Sequence, residues 1–148
     1  MSAGSFTVFN IAKKKLLDGT HDIDTHTFKM ALCANTQSLD ATFAGTSTDA
    51  RYADLTAEVA NGNGYTTGGK TLTMSLTRSN GTVTVDCDDQ SWTASTFTAK
   101  YAVIYNNTDA NKGLLGFVDL ETTSAAGLSP SNGTLAITIN ASGLFTLA

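Results

Sequence analysis

The chain reads as a mainly β, single-domain protein. Residues 1–148 form a β-sandwich or jelly-roll-like fold with one short N-terminal helix and one short helical segment. Three observations lead there. First, the 148 residues are 41% hydrophobic and only 15% charged, well below the usual quarter of charged residues. Threonine, serine and 13 glycines take up the polar surface instead, and β-branched threonine suits a pleated surface. Second, short segments alternate apolar and polar residues with a period of two. Third, turn signals separate those segments, and no alternating β-α-β pattern runs through the chain. The length suits one domain able to bury a core without metal or disulfide staples.

The elements follow in order. Residues 5–18, SFTVFNIAKKKLLD, carry Phe6, Phe9, Ala12, Leu16 and Leu17 at helical spacing, with the lysines on the remaining arc. Gly19 is the stop signal. This amphipathic helix is expected to pack on its own domain, with docking on a partner as its other role. The β-sandwich then occupies residues 26–148. In residues 25–34, THTFKMALCA, His26, Phe28, Met30 and Leu32 share one face, and Thr25, Thr27, Lys29 and Ala31 the other, as in a half-buried strand. Residues 35–48 are small and polar and read as a loop. Residues 49–60, DARYADLTAEVA, fit a helical insertion with Asp49 as N-cap and Tyr52, Leu55 and Val59 as the buried stripe. TLTMSLTR, then Ser79-Asn80-Gly81, then TVTVD form a hairpin, because Asn-Gly is a strong tight-turn signal. SWT and FTAKYAVIYN add strands, GLLGFVDLE is a strand buried for most of its length, and TLAITIN and GLFTLA close the sheet. That makes seven or eight short strands.

Charge and apolar runs narrow the function. The net charge of −4 and the lone basic run Lys13–Lys15 lack the clustered cations that nucleic-acid binding needs. The longest apolar runs, such as Leu114–Val118, are too short to cross a bilayer. MSAGSFTVFNIAKKKLL has no charged region ahead of an apolar core and does not read as a signal peptide. Cys33 and Cys87 match no zinc or redox spacing and read as free buried thiols.

Four patterns invite chemistry. GYTTGGKT, residues 64–71, fits the P-loop string, with Gly64, Gly69, Lys70 and Thr71 in the defined slots. A P-loop needs a strand before it and a helix N-terminus after it. Here helix-like sequence precedes and period-two sequence follows, so the glycines read as a tight connection into a strand. GLLGFVDLE ends in Asp119, as a metal-binding strand of a nucleotide hydrolase would, but lacks the βαβ context. His21, Asp22, Asp24 and His26 in HDIDTH, and Asp86, Asp88 and Asp89 in DCDDQ, are the residue types of metal sites. Their spacing matches no zinc or EF-hand pattern, and they read as solvated turns. No nucleophile elbow is present. The sequence therefore assigns no catalytic, cofactor-binding or metal residue and calls for no cofactor.

Several blocks resemble one family. They are Asp18-Gly19-Thr20 with Asp22, Asp24-Thr25, Phe28-Lys29 and Ala31-Leu32; the segment Leu55 to Leu72, LTAEVANGNGYTTGGKTL; Trp92 to Tyr105, WTASTFTAKYAVIY; LLGFVDLE; and the terminal GTLAITINASGLFTLA. Together they cover nearly the whole chain and are similar to small structural proteins of tailed-bacteriophage virions, frequently described as head decoration or capsid cement. The resemblance implies a non-enzymatic protein, assembled in the host cytoplasm, on the outer surface of the phage head. Its partners would be the major capsid protein lattice and copies of itself, as dimer or trimer, with no nucleic acid or membrane. Two other readings stand beside it. One is a tail or fibre component in which Trp92, Tyr101 and Tyr105 present rings to host glycans, against their use in core packing. The other is a nucleotide-binding enzyme using Lys70.

Overall fold

The structure, a computed structural model, describes residues 2–45 and 48–148. Three sheets share one hydrophobic core, and every strand pairing is antiparallel. The largest sheet has the order β1-β8-β7-β2-β3. Its members are β1 (Thr7–Val8), β2 (Phe28–Cys33), β3 (Lys70–Thr71), β7 (Tyr101–Asn106) and β8 (Leu114–Asp119). A second sheet, β10-β5-β4, comprises β4 (Met74–Ser79), β5 (Thr82–Cys87) and β10 (Phe145–Leu147). The third pairs β6 (Gln90–Ser95) with β9 (Gly133–Ile137). One α-helix, α1 (Asn10–Leu17), and a 3-10 turn at Tyr52–Asp54 complete the described elements.

The centre is β2, β7 and β8, where Phe28, Met30, Leu32, Ile104, Leu114 and Leu115 are almost wholly buried. Each such side chain contributes about 1.5–3 kcal/mol of transfer free energy. GLLGFVDLE thus forms the buried strand its apolar run implied. THTFKMALCA differs from the half-buried expectation. Only Phe28–Cys33 is strand, and both faces are covered, with Ala31 and Cys33 as buried as Met30. The hairpin turns at Asn80-Gly81, closing the pair Ser79↔Thr82, with Asn80 at φ 54°.

Two helical expectations are corrected. The N-terminal helix starts at Asn10, not at residue 5. Thr7 and Val8 pair with Phe117 and Gly116 instead, because Gly116 has no side chain and lets Phe6 lie on it; a Cβ there would sit 2.4 Å from Phe6 Cζ. Gly19 does end the helix, at φ 81°. The stripe is also redistributed. Phe9 and Ala12 are buried, while Leu17 is 87% exposed and Lys15 is buried. The Lys15 ammonium reaches the Asp49 carbonyl at 3.4 Å and its carboxylate at 4.0 Å, which satisfies it there. The insertion at residues 49–60 shrinks to the single turn Tyr52–Asp54. Beyond it the chain runs extended beside β2: Ala34 N–H donates to Ala57 O at 2.8 Å and Val59 N–H to Leu32 O at 2.9 Å. Those pairings outweigh a marginal helix propensity. Asp49 does not cap the turn; Arg51 holds that position.

TLTMSLTR is not one strand. Lys70 and Thr71 pair with β2, and from Met74 onward the chain pairs with β5. The glycine-rich connection ahead of it is non-helical, as its flanks implied. Gly62, Gly64, Gly68 and Gly69 all take positive φ. A Cβ on Gly69 would lie 1.8 Å from Met30 O, so the loop presses directly on the β2 backbone. Gly62 takes φ 110° with nothing within 4 Å of a Cβ. Lys70 extends its ammonium to the Ser91 carbonyl and over the Trp92 ring, 5.4 Å from the centroid.

Substitution at these positions has a definite order. Gly69→Ala should cost more than about 2 kcal/mol, since strain and a backbone clash add. Gly62→Ala should cost about 1 kcal/mol, from φ alone. Lys70→Ala should stay within about 1 kcal/mol. Urea unfolding of the three variants measures this; a Lys70→Ala loss as large as that of Gly69→Ala would overturn the ordering.

Candidate functional site

The feature without an internal explanation is an apolar groove where α1, β1 and β10 meet. Val8, Leu16, Leu17, Phe145 and Leu147 line a depression of about 290 Å³. Its shape follows from local sequence. Gly19 stops the helix just after Leu17 and leaves that side chain at the last turn, turned outward. Phe6, on the arm before α1, stacks on Phe145 with centroids 6.1 Å apart and planes 10° from parallel. β10 pairs only with β5 and is an edge strand. Its register aligns Phe145 with Val85 and Leu147 with Val83, and β4 adds Leu76 and Arg78 to the same rows. Among the described residues, the exposed large hydrophobic ones are Leu17, Leu147 at 51% and Leu76 at 42%. All three belong to this end of the molecule, through the groove or the sheet that bounds it. Leu17 and Leu147 share the groove with Val8, Leu16 and Phe145, and an exposed apolar cluster of this kind is a candidate interaction site.

A larger cleft of about 850 Å³ opens between the N-terminal arm, residues 3–6, and the turn at residues 140–143. Met30, Ala102 and Ile104 of the main sheet are on one side, and Ile137, Ile139 and Leu144 on the other.

The residues that suggested chemistry are used in folding. Asp22 accepts the N–H groups of Asp24 and Thr25 at 3.0 and 3.2 Å. Asp88 accepts Thr73 N–H at 2.6 Å and the Gln90 amide at 2.9 Å, Asp89 accepts Ile139 N–H at 2.7 Å, and Asp86 accepts Cys87 N–H at 2.8 Å. Among the described residues no group of three or more His, Cys, Asp and Glu is placed to hold a metal ion. Asp119 pairs with the Lys100 ammonium at 2.8 Å. Cys33 and Cys87 are free and buried, and desolvation pushes each thiol up to about 12. Trp92 and Tyr105 are buried and Tyr101 is half-buried. Tyr105 stacks on Tyr52 at 4.5 Å and Tyr101 meets Phe117 edge-on at 6.0 Å. These three rings do not assemble into an exposed platform.

HDIDTH does contribute a buried polar cluster. His21 Nε2 donates to Leu114 O at 3.2 Å, which leaves Nδ1 to accept from Asn106 Nδ2 at 3.3 Å. The same amide meets His26 Nδ1 at 2.9 Å and Thr20 O at 3.1 Å. Burial holds the His21 pKa below its ordinary value, and the nearby Lys15 charge adds to this, while the Leu114 carbonyl and Asp109 oppose it. The imidazole is therefore held neutral in one tautomer.

Sequence patterning missed Leu147, Leu76 and Glu58. Leu76 and Leu147 alternate as core residues do, and only the edge position of their strands leaves them open. Glu58 accepts from the hydroxyls of Tyr52 and Tyr65, the latter at 2.7 Å, and from Gly68 N–H at 2.7 Å; no spacing rule announces that cluster. No protein-family model, curated protein or solved structure matches the chain.

His21 makes stability pH-dependent with a defined sign. Its pKa is depressed in the folded state, so protons favour the unfolded chain, where the value is about 6.5. Stability is complete above that pH and falls below it. Between pH 6.5 and 5.5 stability should fall measurably, by no more than about 1 kcal/mol. Urea unfolding across pH 8 to 5 measures it, and a His21→Gln variant should flatten the slope; a flat profile in the parent protein contradicts the neutral-imidazole assignment.

Proposed function

We propose that this protein is a non-enzymatic structural component of a tailed-phage virion that decorates the outer surface of the head and stabilises the assembled shell. The observation that carries an assembly role is Leu17, 87% exposed beside the groove formed with Phe145 and Leu147. A leucine held so far into water at the end of an ordered helix stabilises nothing in the free chain and gains transfer free energy only against a partner. The head-decoration reading adds the whole-chain resemblance of the Leu55–Leu72 and Trp92–Tyr105 blocks to phage structural proteins. Its partners are the major capsid lattice and copies of this chain. The buried state of Trp92 and Tyr105 gives the glycan-binding tail or fibre reading no support from those rings.

The fold suits such a role. We read the sheets as two layers of a jelly-roll-like sandwich, the five-stranded sheet against the two smaller ones. The cleft lined by Met30 and Ile104 on one side and Ile137 and Ile139 on the other supports that layering. A rigid β domain that docks through one apolar end needs little affinity per copy, because a lattice engages many copies at once. Binding to the assembled shell alone would raise shell stability by mass action.

Purified protein added to undecorated heads should bind to a fixed stoichiometry and raise their melting temperature. Leu17→Glu and Leu147→Glu should leave the fold within about 0.5 kcal/mol and weaken head binding by about tenfold or more. Heads that neither bind the parent protein nor gain stability would overturn the proposal.

A further inference from the structure

We infer that β4 is a self-pairing edge: it joins β4 of a second copy in antiparallel fashion, about a two-fold axis at Leu76, and makes one six-stranded sheet from two three-stranded ones. The inference deepens the assembly reading by naming the surface through which copies meet.

The open edge is defined by hydrogen-bond parity. The two-residue turn closes the pair Ser79↔Thr82, and at the other end Asp88 N–H donates to Thr73 O at 3.2 Å. Odd-numbered residues of this strand therefore point their backbone groups at β5. In an antiparallel ladder the alternate residues point the other way. Met74, Leu76 and Arg78 thus present their N–H and C=O groups outward, where β4 ends its sheet. From Ser75 to Ser79 every side chain is exposed. The usual protections of an edge are lacking: the strand holds no proline, no lysine and no bulge, and its one charge is Arg78.

The occupant is the second copy that the assembly reading calls for, and parity and charge select its register. Outward-facing residues must oppose outward-facing residues, so a symmetric β4 pair centres on Leu76 or on a neighbouring position of allowed parity. Centring on Leu76 sets Leu76 against its copy, Arg78 against Met74, and Ser75 against Thr77. The two Arg78 positions then lie about 13 Å apart along the strand direction. Shifting the centre to Thr77 reduces that to about 7 Å and brings like charges together. Shifting it to Ser75 runs the pairing past Met74, where Leu72 is buried and its N–H is engaged by Phe28 O at 2.9 Å. Leu76 is the centre that uses the strand and avoids repulsion.

The symmetry has a further consequence. An edge-to-edge pair related by a two-fold axis normal to the sheet keeps the same face on the same side. Leu76, Val85 and Phe145 of both copies then form one apolar row across the joined sheet, with Leu76 covering its copy at the middle and Arg78 flanking it in the Val83–Leu147 row. The pairing alone buries less than a standard interface, which calls for association in the weak regime.

Two measurements test this without heads. Directly opposed residues that are not hydrogen-bonded lie about 4.5 Å apart at Cα, within disulfide range. Ser75→Cys protein mixed with Thr77→Cys protein should form a covalent dimer under mild oxidation, and neither variant alone should do so. Equal cross-linking of each variant with itself, or none in the mixture, overturns the inference. Sedimentation of the parent protein to about 1 mM should show mass rising from 15.4 kDa toward twice that value. Leu76→Pro removes an outward N–H while sparing the bonds to β5, and it should weaken association at least about tenfold; unchanged association in folded Leu76→Pro also overturns it. A mixed disulfide in protein that ignores heads would sink the shell reading alone.

Discussion

The Glu58 carboxylate ties the irregular half of the chain to the regular half. It accepts from Tyr52 in the 3-10 turn, from Tyr65 at 2.7 Å and from Gly68 N–H at 2.7 Å in the glycine-rich connection. Tyr65 also accepts Leu32 N–H at 3.1 Å, and Tyr105 donates to Gly68 O at 2.8 Å. Desolvation first, then the hydrogen bond to Glu58 and after it the Glu58 charge, raise the hydroxyls of Tyr52 and Tyr65 well above the ordinary tyrosine value; Tyr105 rises to about 12. All three remain donors over the physiological range. A donor of this kind left unpaired in the interior costs about 1–3 kcal/mol, so the turn, the connection and β2 are stabilised together. Gly69 can approach the Met30 carbonyl because it has no Cβ, and this network together with the Lys70↔Met30 pairing holds the loop on the sheet.

That network explains which parts of the fold were legible in the sequence. β7 and β8 were readable because both faces are buried and the apolar runs are unbroken. The β4–β5 hairpin was readable because Asn80-Gly81 names its own turn. The segment 49–60 was not. Tyr52, Leu55 and Val59 recur at helical spacing, but Val59 N–H pairs with Leu32 O and Glu58 faces two tyrosines from different elements. Local periodicity does not encode a contact with Tyr65. The same holds for α1, whose first turn is lost to β1 because Gly116, more than a hundred residues away, opens a slot for Phe6.

The P-loop string shows how far a motif is from a site. A phosphate cradle needs consecutive N–H groups converging on open space at a helix N-terminus. Here Gly68 N–H is taken by Glu58, Gly69 N–H by Thr66 O at 2.9 Å, and Lys70 by the Ser91 carbonyl. The glycines serve close packing: a Cβ on Gly64 would lie 2.8 Å from Thr93 O, against the bulged part of β6. A site built from exposure is less visible still. Nothing in TLTMSLTR or GLFTLA distinguishes a leucine facing the core from one left open at a sheet edge, because that difference lies in which strand is the last of its sheet.

The groove draws on both ends of the chain. The N-terminal arm is held along β8 by Gly4 N–H to Asp119 O at 2.7 Å and by Ser2 N–H to the Glu121 carboxylate at 3.2 Å. Glu121 is kept ionised by Thr123, which lowers it to about 2. The C-terminal strand adds only three residues to β5. These short pairings form few ladder bonds compared with β2, β7 and β8, yet they carry Leu147, Phe145 and the Phe6 ring that stacks on it. Elements with few internal bonds are the ones an interaction with a partner stabilises most, since ordering them against a surface adds contacts that the free domain lacks. An apolar end built on these short pairings, beside the longer ladders of β2, β7 and β8, is the part of the fold that the docking proposed above would stabilise.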